Sequence, residues 1–183
     1  EVFGGLEAET GGATGFKRGG SSSAGLTAER REEIFRQAAM ARALGVEVEE
    51  ITPSEIGARY PHLNLDGVQA GVYLSKDGQG DPGNIALALA KGARQNGALI
   101  QERVKATGLQ RNGRRITGVD WQAEDGATGH IVCEMLVNCA GMWGHEVGRI
   151  AGVNVQLHAC EHFYIVSEAC EGLGPLPVCR VPE

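Results

Sequence analysis

Residues 135–152 constrain the fold of this chain more than any other stretch. An apolar run at 135–137 leads into Asn138-Cys139-Ala140-Gly141 and then into apolar residues at helical spacing. This order predicts a buried strand that turns tightly into a helix. The first N–H groups of a helix are unpaired and its dipole is positive there, so such a junction favours anionic ligands. Gly141 has no Cβ, which lets a ligand approach closely. An ordinary βα turn would carry the same pattern, and both interpretations stay open.

The usual dinucleotide fingerprint does not occur in the sequence. That fingerprint is a strand followed by G-x-G-x-x-G, a helix and an acidic residue about 20 positions on. The glycine pairs at 4–5, 11–12 and 19–20 do not follow an apolar strand with that spacing. The chain also starts without Met and ends without a closing helix or strand. We therefore expect an internal fragment of a larger enzyme.

Composition excludes several classes of protein. A chain of 183 residues that is 42% hydrophobic and 22% charged suits one or two globular units. The net charge of −6 argues against a nucleic-acid surface, and no apolar stretch reaches the roughly 20 residues of a membrane span. Five cysteines, without a C-x-x-C pair, predict reduced, buried thiols. We expect a cytoplasmic protein, or a mitochondrial matrix protein if the source is eukaryotic.

Clear local signals predict helices in the first half of the chain. Thr27 is placed to cap a helix that ends before Gly45. Thr52 and Glu55 form a capping box, with a proline at the first helical position between them. A third helix is predicted to begin after Asp81 and to stop at a glycine.

The second half of the chain predicts mainly strands. A short strand is expected to begin at 98–100, and a three-stranded meander at 104–133 with a type I′ turn at 111–114. A long strand is predicted at 155–168. The mixture of helices and strands predicts an α/β fold of the mixed, α+β type, with a mixed sheet.

Several strings carry a family resemblance because they occur together and in order. They are LEAETG, GFKRGGS, ITPSEIGARYPHL, DGQGDP, ALAKGARQNGALI, VNCAGMWGHEVGRIAGV, EHFYIVSE and LPVCRVPE. The chain resembles the FAD-dependent sarcosine and dimethylglycine dehydrogenases of the D-amino-acid oxidase-like superfamily. The resemblance implies part of a glutathione-reductase-2 type FAD-binding fold interleaved with a mixed substrate-domain sheet. Residues 1–80 would be mainly substrate domain, 81–153 FAD-binding domain, and 154–183 a return to the substrate sheet.

The same resemblance implies roles for five residues in holding FAD. Val104 would begin the strand that offers backbone hydrogen bonds to the adenine edge. Cys139, Ala140 and Gly141 would form the turn that passes close to the dinucleotide, with Trp143 just behind. Val104 could instead be a plain core residue of the meander, and Trp143 could serve core packing.

A second site is predicted at His162 and Tyr164. Residues two apart on a strand share a face, so these two would point together and Phe163 away from them. The resemblance places such a strand over the flavin ring, where His162 or Tyr164 could hold the proton of the substrate amine. A core aromatic ladder is the alternative. No metal site is expected, because His158, Cys160 and His162 are spaced about 6–7 Å apart along a strand and converge poorly.

The resemblance thus implies oxidation of the N-methyl group of sarcosine or dimethylglycine by hydride transfer to FAD. The substrate would be a small N-methyl amino acid, with folate and an electron acceptor as further partners of the complete enzyme. Neither nucleic acid nor a membrane is expected as a partner. Two alternatives stay open: another flavoenzyme of the superfamily, such as a D-amino-acid or glycerol-3-phosphate oxidoreductase, and a non-catalytic fragment.

Overall fold

The structure is a computed structural model that describes residues 2–174 and 176–181. The chain divides into two structural units. Unit 1 comprises Glu1–Leu99 and Glu168–Glu183, and unit 2 comprises Ile100–Ser167. The mixture of helices with several small sheets confirms the predicted mixed α/β fold class. No helix within the described ranges is long and apolar enough to cross a bilayer.

Unit 1 is built on a mixed four-stranded sheet. Its elements are α1 Val2–Thr10, β1 Lys17–Arg18, β2 Ser21–Gly25, α2 Ala28–Ala43, β3 Glu49–Ile51, α3 Pro53–Arg59, β4 Ala70–Leu74, β5 Gly78–Gln79, α4 Pro82–Gln95 and, after the excursion into unit 2, β9 Val178–Arg180. The sheet order is β3-β4-β2-β9, and only the β2–β9 pair is parallel. Strands β1 and β5 form a separate antiparallel pair.

The predicted helix caps of unit 1 are confirmed. The Thr27 side chain accepts a hydrogen bond from Arg30 N–H, and Gly45 follows α2 with a φ of +83°. Both hydrogen bonds of the Thr52–Glu55 capping box are present. The helix starts there because these side chains accept hydrogen bonds from N–H groups that have no partner within the helix.

The core of unit 1 lies where α3 meets the sheet. Its buried members are Ala24, Ile51, Ile56 and Tyr60. Ile51 and Ile56 flank the capping box and belong to the same buried cluster, which is the arrangement of a hydrophobic staple. The Tyr60 hydroxyl donates to the Val178 carbonyl oxygen at 2.6 Å, which joins the end of α3 to β9, and burial raises the pKa of Tyr60.

Helix α1 was not predicted, and it packs on α4. A Cβ at Gly12 would lie 3.0 Å from the Cα of Ala88, so the loop after α1 approaches α4 closely. The loop is held to α1 by Glu7, whose Oε1 accepts hydrogen bonds from the Thr14 N–H at 2.6 Å and the Thr14 hydroxyl at 2.7 Å. These bonds, the backbone one first, lower the pKa of the Glu7 carboxyl.

Unit 2 contains the predicted meander. Its strands are β6 Val104–Asn112, β7 Arg115–Ala123 and β8 Thr128–Val132, followed by a 3₁₀ turn at Gly141–Trp143 and by α5 Gly144–Ile150. The β6–β7 turn differs from the predicted type I′. Gly113 has a φ of +60°, but Arg114 does not have a positive φ. Type I′ needs positive φ at both central residues, whereas glycine at the first position is the type II′ requirement.

Three predicted strands do not form. Residues 98–100, 135–140 and 155–168 have no strand structure, and apolar side chains within them are exposed, among them Met135 at 85% and Ile165 at 97%. A strand is held by a ladder to a neighbour, and these segments have none among the described strands. The prediction of buried thiols is also wrong, because Cys139, Cys160 and Cys170 are exposed.

The Glu7–Thr14 contact predicts an acid-sensitive contribution to stability. A folded pKa held below the ordinary value of 4.5 gives a contribution that is complete above that value and is lost as pH falls toward the lowered folded pKa. Glu7→Gln in the full-length protein should therefore lower the unfolding temperature at pH 7, with the difference from wild type shrinking between about pH 5 and pH 3.

Glu9→Gln is the matched control. Glu9 is on the same helix, is exposed and makes no side-chain hydrogen bond within the described part of the chain. Thermal melts across this pH range would contradict the account if the two variants behaved alike.

Candidate functional site

Val104 lies on the free edge of the unit 2 sheet, whose order is β6-β7-β8. The Cys133 N–H donates to the Thr117 carbonyl oxygen at 3.0 Å, so odd-numbered residues of β7 direct their backbone groups toward β8. Ala123 is one of these residues, and it is paired in register with Val104. The pair is therefore not hydrogen-bonded, and the N–H and C=O of Val104 point away from β7.

Arg103 sets the direction in which the chain enters β6. It has a φ of +57°, and it is the one non-glycine residue of the described ranges with a positive φ. Such a conformation is strained for a side chain with a Cβ. The Arg103 carbonyl oxygen accepts from the Glu124 N–H at 3.2 Å. This bond agrees with the alternation above, in which Val104 points its backbone groups away from β7. The Arg103–Glu124 ion pair is largely exposed and contributes little to stability.

A second part of the site is the 3₁₀ turn that replaces the predicted strand-to-helix junction. Trp143 N–H donates to the Ala140 carbonyl oxygen at 3.0 Å. Gly141 has a φ of +53°, and a Cβ built there would meet no atom of the chain within 4 Å. Space beside this turn is therefore open. Helix α5 begins only at Gly144 and has seven residues, so the turn is not the amino-terminal end of a long helix.

A cavity of about 1040 Å³ within unit 2 connects these two parts. It is lined by Val104 and Ala106 of β6 on one side and by Ala140, Trp143, Val147 and Ile150 on the other. The lining is mainly apolar, and its volume is at the upper end for small-molecule pockets. Three of the five predicted cofactor residues thus meet at one cavity, while Cys139 and Gly141 lie in the adjoining turn. Trp143 is 60% exposed, so it is not a core residue of unit 2.

Sequence reasoning did not select Asn138, which holds the turn in place. Its Oδ1 accepts from Ala140 N–H at 3.2 Å, and its Nδ2 donates to the Gly144 carbonyl oxygen at 2.9 Å. The signal was available, because asparagine often bonds to the backbone two residues later in tight turns. Arg103 and Lys105 at the cavity were also missed, and a charged surface side chain gives no such signal.

Glycines on α5 bring the following segment against the helix. A Cβ at Gly148 would lie 2.5 Å from Val155 Cγ2 and 3.0 Å from the Val153 carbonyl oxygen. His145 Nδ1 is 2.9 Å from the Val155 carbonyl oxygen and bonds to it as the donor. The chain from 153 to 155 therefore follows α5 closely because the helix surface there has no side chain.

The structure does not bring the two predicted catalytic residues to this cavity. His162 is exposed and Tyr164 is 86% exposed, and neither lines the cavity. Their segment has no strand structure, so the shared face expected from strand geometry is not formed. Among the described residues, no three His, Cys, Asp or Glu side chains come together as a metal site needs.

Comparison with known proteins identifies the family. The model of the family described as FAD dependent oxidoreductase matches residues 1–182. The chain belongs to this family of FAD-dependent oxidoreductases.

Curated relatives within this family include amine dehydrogenases and a regulatory subunit. The chain is 36% identical over 180 residues to mitochondrial sarcosine dehydrogenase of Homo sapiens, covering 96% of this chain and 19% of that protein. It is 35% identical over 162 residues to mitochondrial dimethylglycine dehydrogenase of Rattus norvegicus, covering 88% and 18%. It is 34% identical over 164 residues to the mitochondrial pyruvate dehydrogenase phosphatase regulatory subunit of Mus musculus, covering 88% and 18%. The predicted resemblance is confirmed, and the chain spans about a fifth of the length of these relatives.

A solved structure supports the fold. L-proline dehydrogenase from P. horikoshii matches with a TM-score of 0.69 and 24% identity, covering 85% of this chain and 40% of that protein.

The residues at the cavity fit the adenosine end of FAD, the family's cofactor. Adenine is a flat heteroaromatic group with hydrogen-bonding atoms along one edge. The cavity offers apolar walls together with the free N–H and C=O of Val104, which is the combination that such a group needs.

Proposed function

We propose that the full-length protein is an FAD-dependent oxidoreductase of an N-methyl amino acid, sarcosine or dimethylglycine, and that unit 2 holds the adenosine part of FAD. The observation that carries the cofactor assignment is the unpaired backbone edge of Val104 facing an apolar cavity. The substrate class is supported by the relatedness to sarcosine and dimethylglycine dehydrogenases at about 35% identity.

In this proposal each cofactor residue has a distinct task. The backbone N–H and C=O of Val104 bond to the adenine edge. Ala140 and Gly141 let the dinucleotide approach the turn, since neither has a bulky side chain to intrude. Cys139 belongs to the same turn, and Trp143 covers the open side of the cavity.

The catalytic assignment of His162 and Tyr164 is supported by the family resemblance of their segment. When bound, FAD supplies a hydride acceptor for the N-methyl carbon of the substrate. Hydride leaves that carbon only when the amine nitrogen is unprotonated. His162 or Tyr164 would accept or hold the amine proton, and their exposure in the structure leaves both side chains available for a substrate.

Further partners and the location follow from the same proposal. Folate would take up the one-carbon product, and an electron acceptor would reoxidise the cofactor. The related sarcosine and dimethylglycine dehydrogenases are mitochondrial, which supports a mitochondrial matrix location for a eukaryotic source, and a cytoplasmic location applies if the source is not eukaryotic.

A second candidate function is a regulatory subunit that retains the flavoprotein fold. The relative named as a phosphatase regulatory subunit is 34% identical, which is close to the value for the dehydrogenases. Under this alternative the full-length protein would oxidise neither sarcosine nor dimethylglycine even with FAD bound.

Val104→Pro tests the cofactor assignment. Proline lacks the N–H that points to the free edge, while the ladder to β7 does not use that N–H and should survive. Titration of the full-length apoprotein with FAD should give a dissociation constant about tenfold higher or more. Val104→Ala keeps the backbone donor and should bind like wild type. Equal affinity of the proline variant and wild type would remove Val104 from the adenine contact.

Turnover with sarcosine and dimethylglycine tests the activity. Tyr164→Phe should lower kcat/KM by about 10–10⁴-fold, the range for loss of a positioned proton-handling group, with FAD content unchanged. Phe163→Leu changes the neighbouring aromatic residue and should retain turnover. His162→Ala should change the pH profile of kcat/KM. Wild-type rates in both Tyr164 and His162 variants would make the segment structural, and an FAD-loaded wild type without turnover would favour the regulatory alternative.

A further inference from the structure

Asn138 spans the turn that forms one wall of the unit 2 cavity. It stands immediately before Cys139-Ala140-Gly141; the residue is exposed, and its bond to Gly144 is partly buried. One end of its amide accepts from the Ala140 N–H, and the other end donates to the carbonyl oxygen of Gly144, the first residue of α5. A single side chain therefore ties the start of the turn to the start of the helix.

Packing does not fix this turn. A Cβ at Gly141 would have no neighbour within 4 Å, Met142 is 60% exposed and Trp143 is 60% exposed. Gly141 also lies in the left-handed region, which glycine enters and leaves easily. The turn must therefore be held by hydrogen bonds, and those of Asn138 are the side-chain bonds that the described structure gives it.

Only an amide side chain of this length satisfies both ends. The Asn138 Nδ2 faces a carbonyl oxygen that can only accept, and the Oδ1 faces an N–H that can only donate. An aspartate would place a charged oxygen against the Gly144 carbonyl oxygen. A serine would keep an acceptor for the Ala140 N–H and lose the donor.

We propose that Asn138 is a positioning residue for the cofactor. It holds Ala140 and Trp143 at the distance from Val104 that the adenosine part of FAD requires, and it acts through them without contacting the cofactor. This inference rests on the proposed function of unit 2.

The test uses full-length apoprotein titrated with FAD. Asn138→Asp should raise the dissociation constant for FAD about 10–100-fold, and Asn138→Ser about 3–10-fold, because the first variant adds repulsion to the lost donor. The unfolding temperature of the apoprotein should change by less than about 3 °C, since the turn is exposed and contributes little packing. A merely structural role would lower stability and leave the affinity of the folded apoprotein unchanged.

Asn154→Asp is the matched control. It makes the same chemical change in the same unit, at an exposed residue that has no side-chain hydrogen bond within the described ranges, and it should bind FAD like wild type. If Asn138→Asp fails to fold, the FAD affinity of Asn138→Ser tests the positioning role instead. Hydrogen exchange in wild type is a separate check: the Ala140 amide should be protected, and exchange at the rate of an unbonded turn would overturn the inference.

The outcomes separate the two levels of the proposal. Wild-type affinity for FAD in both Asn138 variants would overturn the positioning role and leave the proposed function intact. A wild-type full-length protein that takes up no FAD would overturn the proposed function, and the positioning role with it.

Discussion

The alternation of hydrogen bonds in the β6–β7 ladder decides which backbone groups of β6 point to the open edge of the unit 2 sheet. Because odd-numbered residues of β7 face β8, Val104 is left with both backbone groups directed to the open edge. A shift of one residue would direct these groups into the sheet and leave the cavity without a polar contact at that position. Arg103, at the entrance to β6, has a positive φ, and its carbonyl oxygen accepts from the Glu124 N–H in the same alternation.

Small residues give the opposite wall of the cavity its shape. Ala140 and Gly141 leave space beside the turn, and Gly148 allows the segment around Val155 to lie against α5. Such a wall has little packing of its own, so it depends on hydrogen bonds such as those of Asn138. Unit 1 is built differently: its sheet and α3 share a buried core centred on Ile56, which is 0% exposed.

Sequence reasoning was accurate where a signal and its partner lie within a few residues. The capping box at Thr52, the glycine after α2 and the meander were predicted for this reason. It failed at 135–140 and 155–168, because an apolar run becomes a strand only when a distant strand pairs with it. Helix α1 was missed because it has no acidic residue in its first turn and no basic residue in its last turn to mark its ends. Val104 was selected through family resemblance. The direction of its N–H and C=O could be learned only from the hydrogen bonds between the strands of the structure.

A crystal structure of the full-length protein with FAD tests the central claim most directly. The distances to measure join the Val104 N and O atoms to the nearest adenine nitrogens. The account predicts at least one of them at hydrogen-bond length, about 2.7–3.2 Å, with the adenosine between β6 and the turn at Ala140. An adenine bound elsewhere, with the β6 edge covered by another strand, would contradict it.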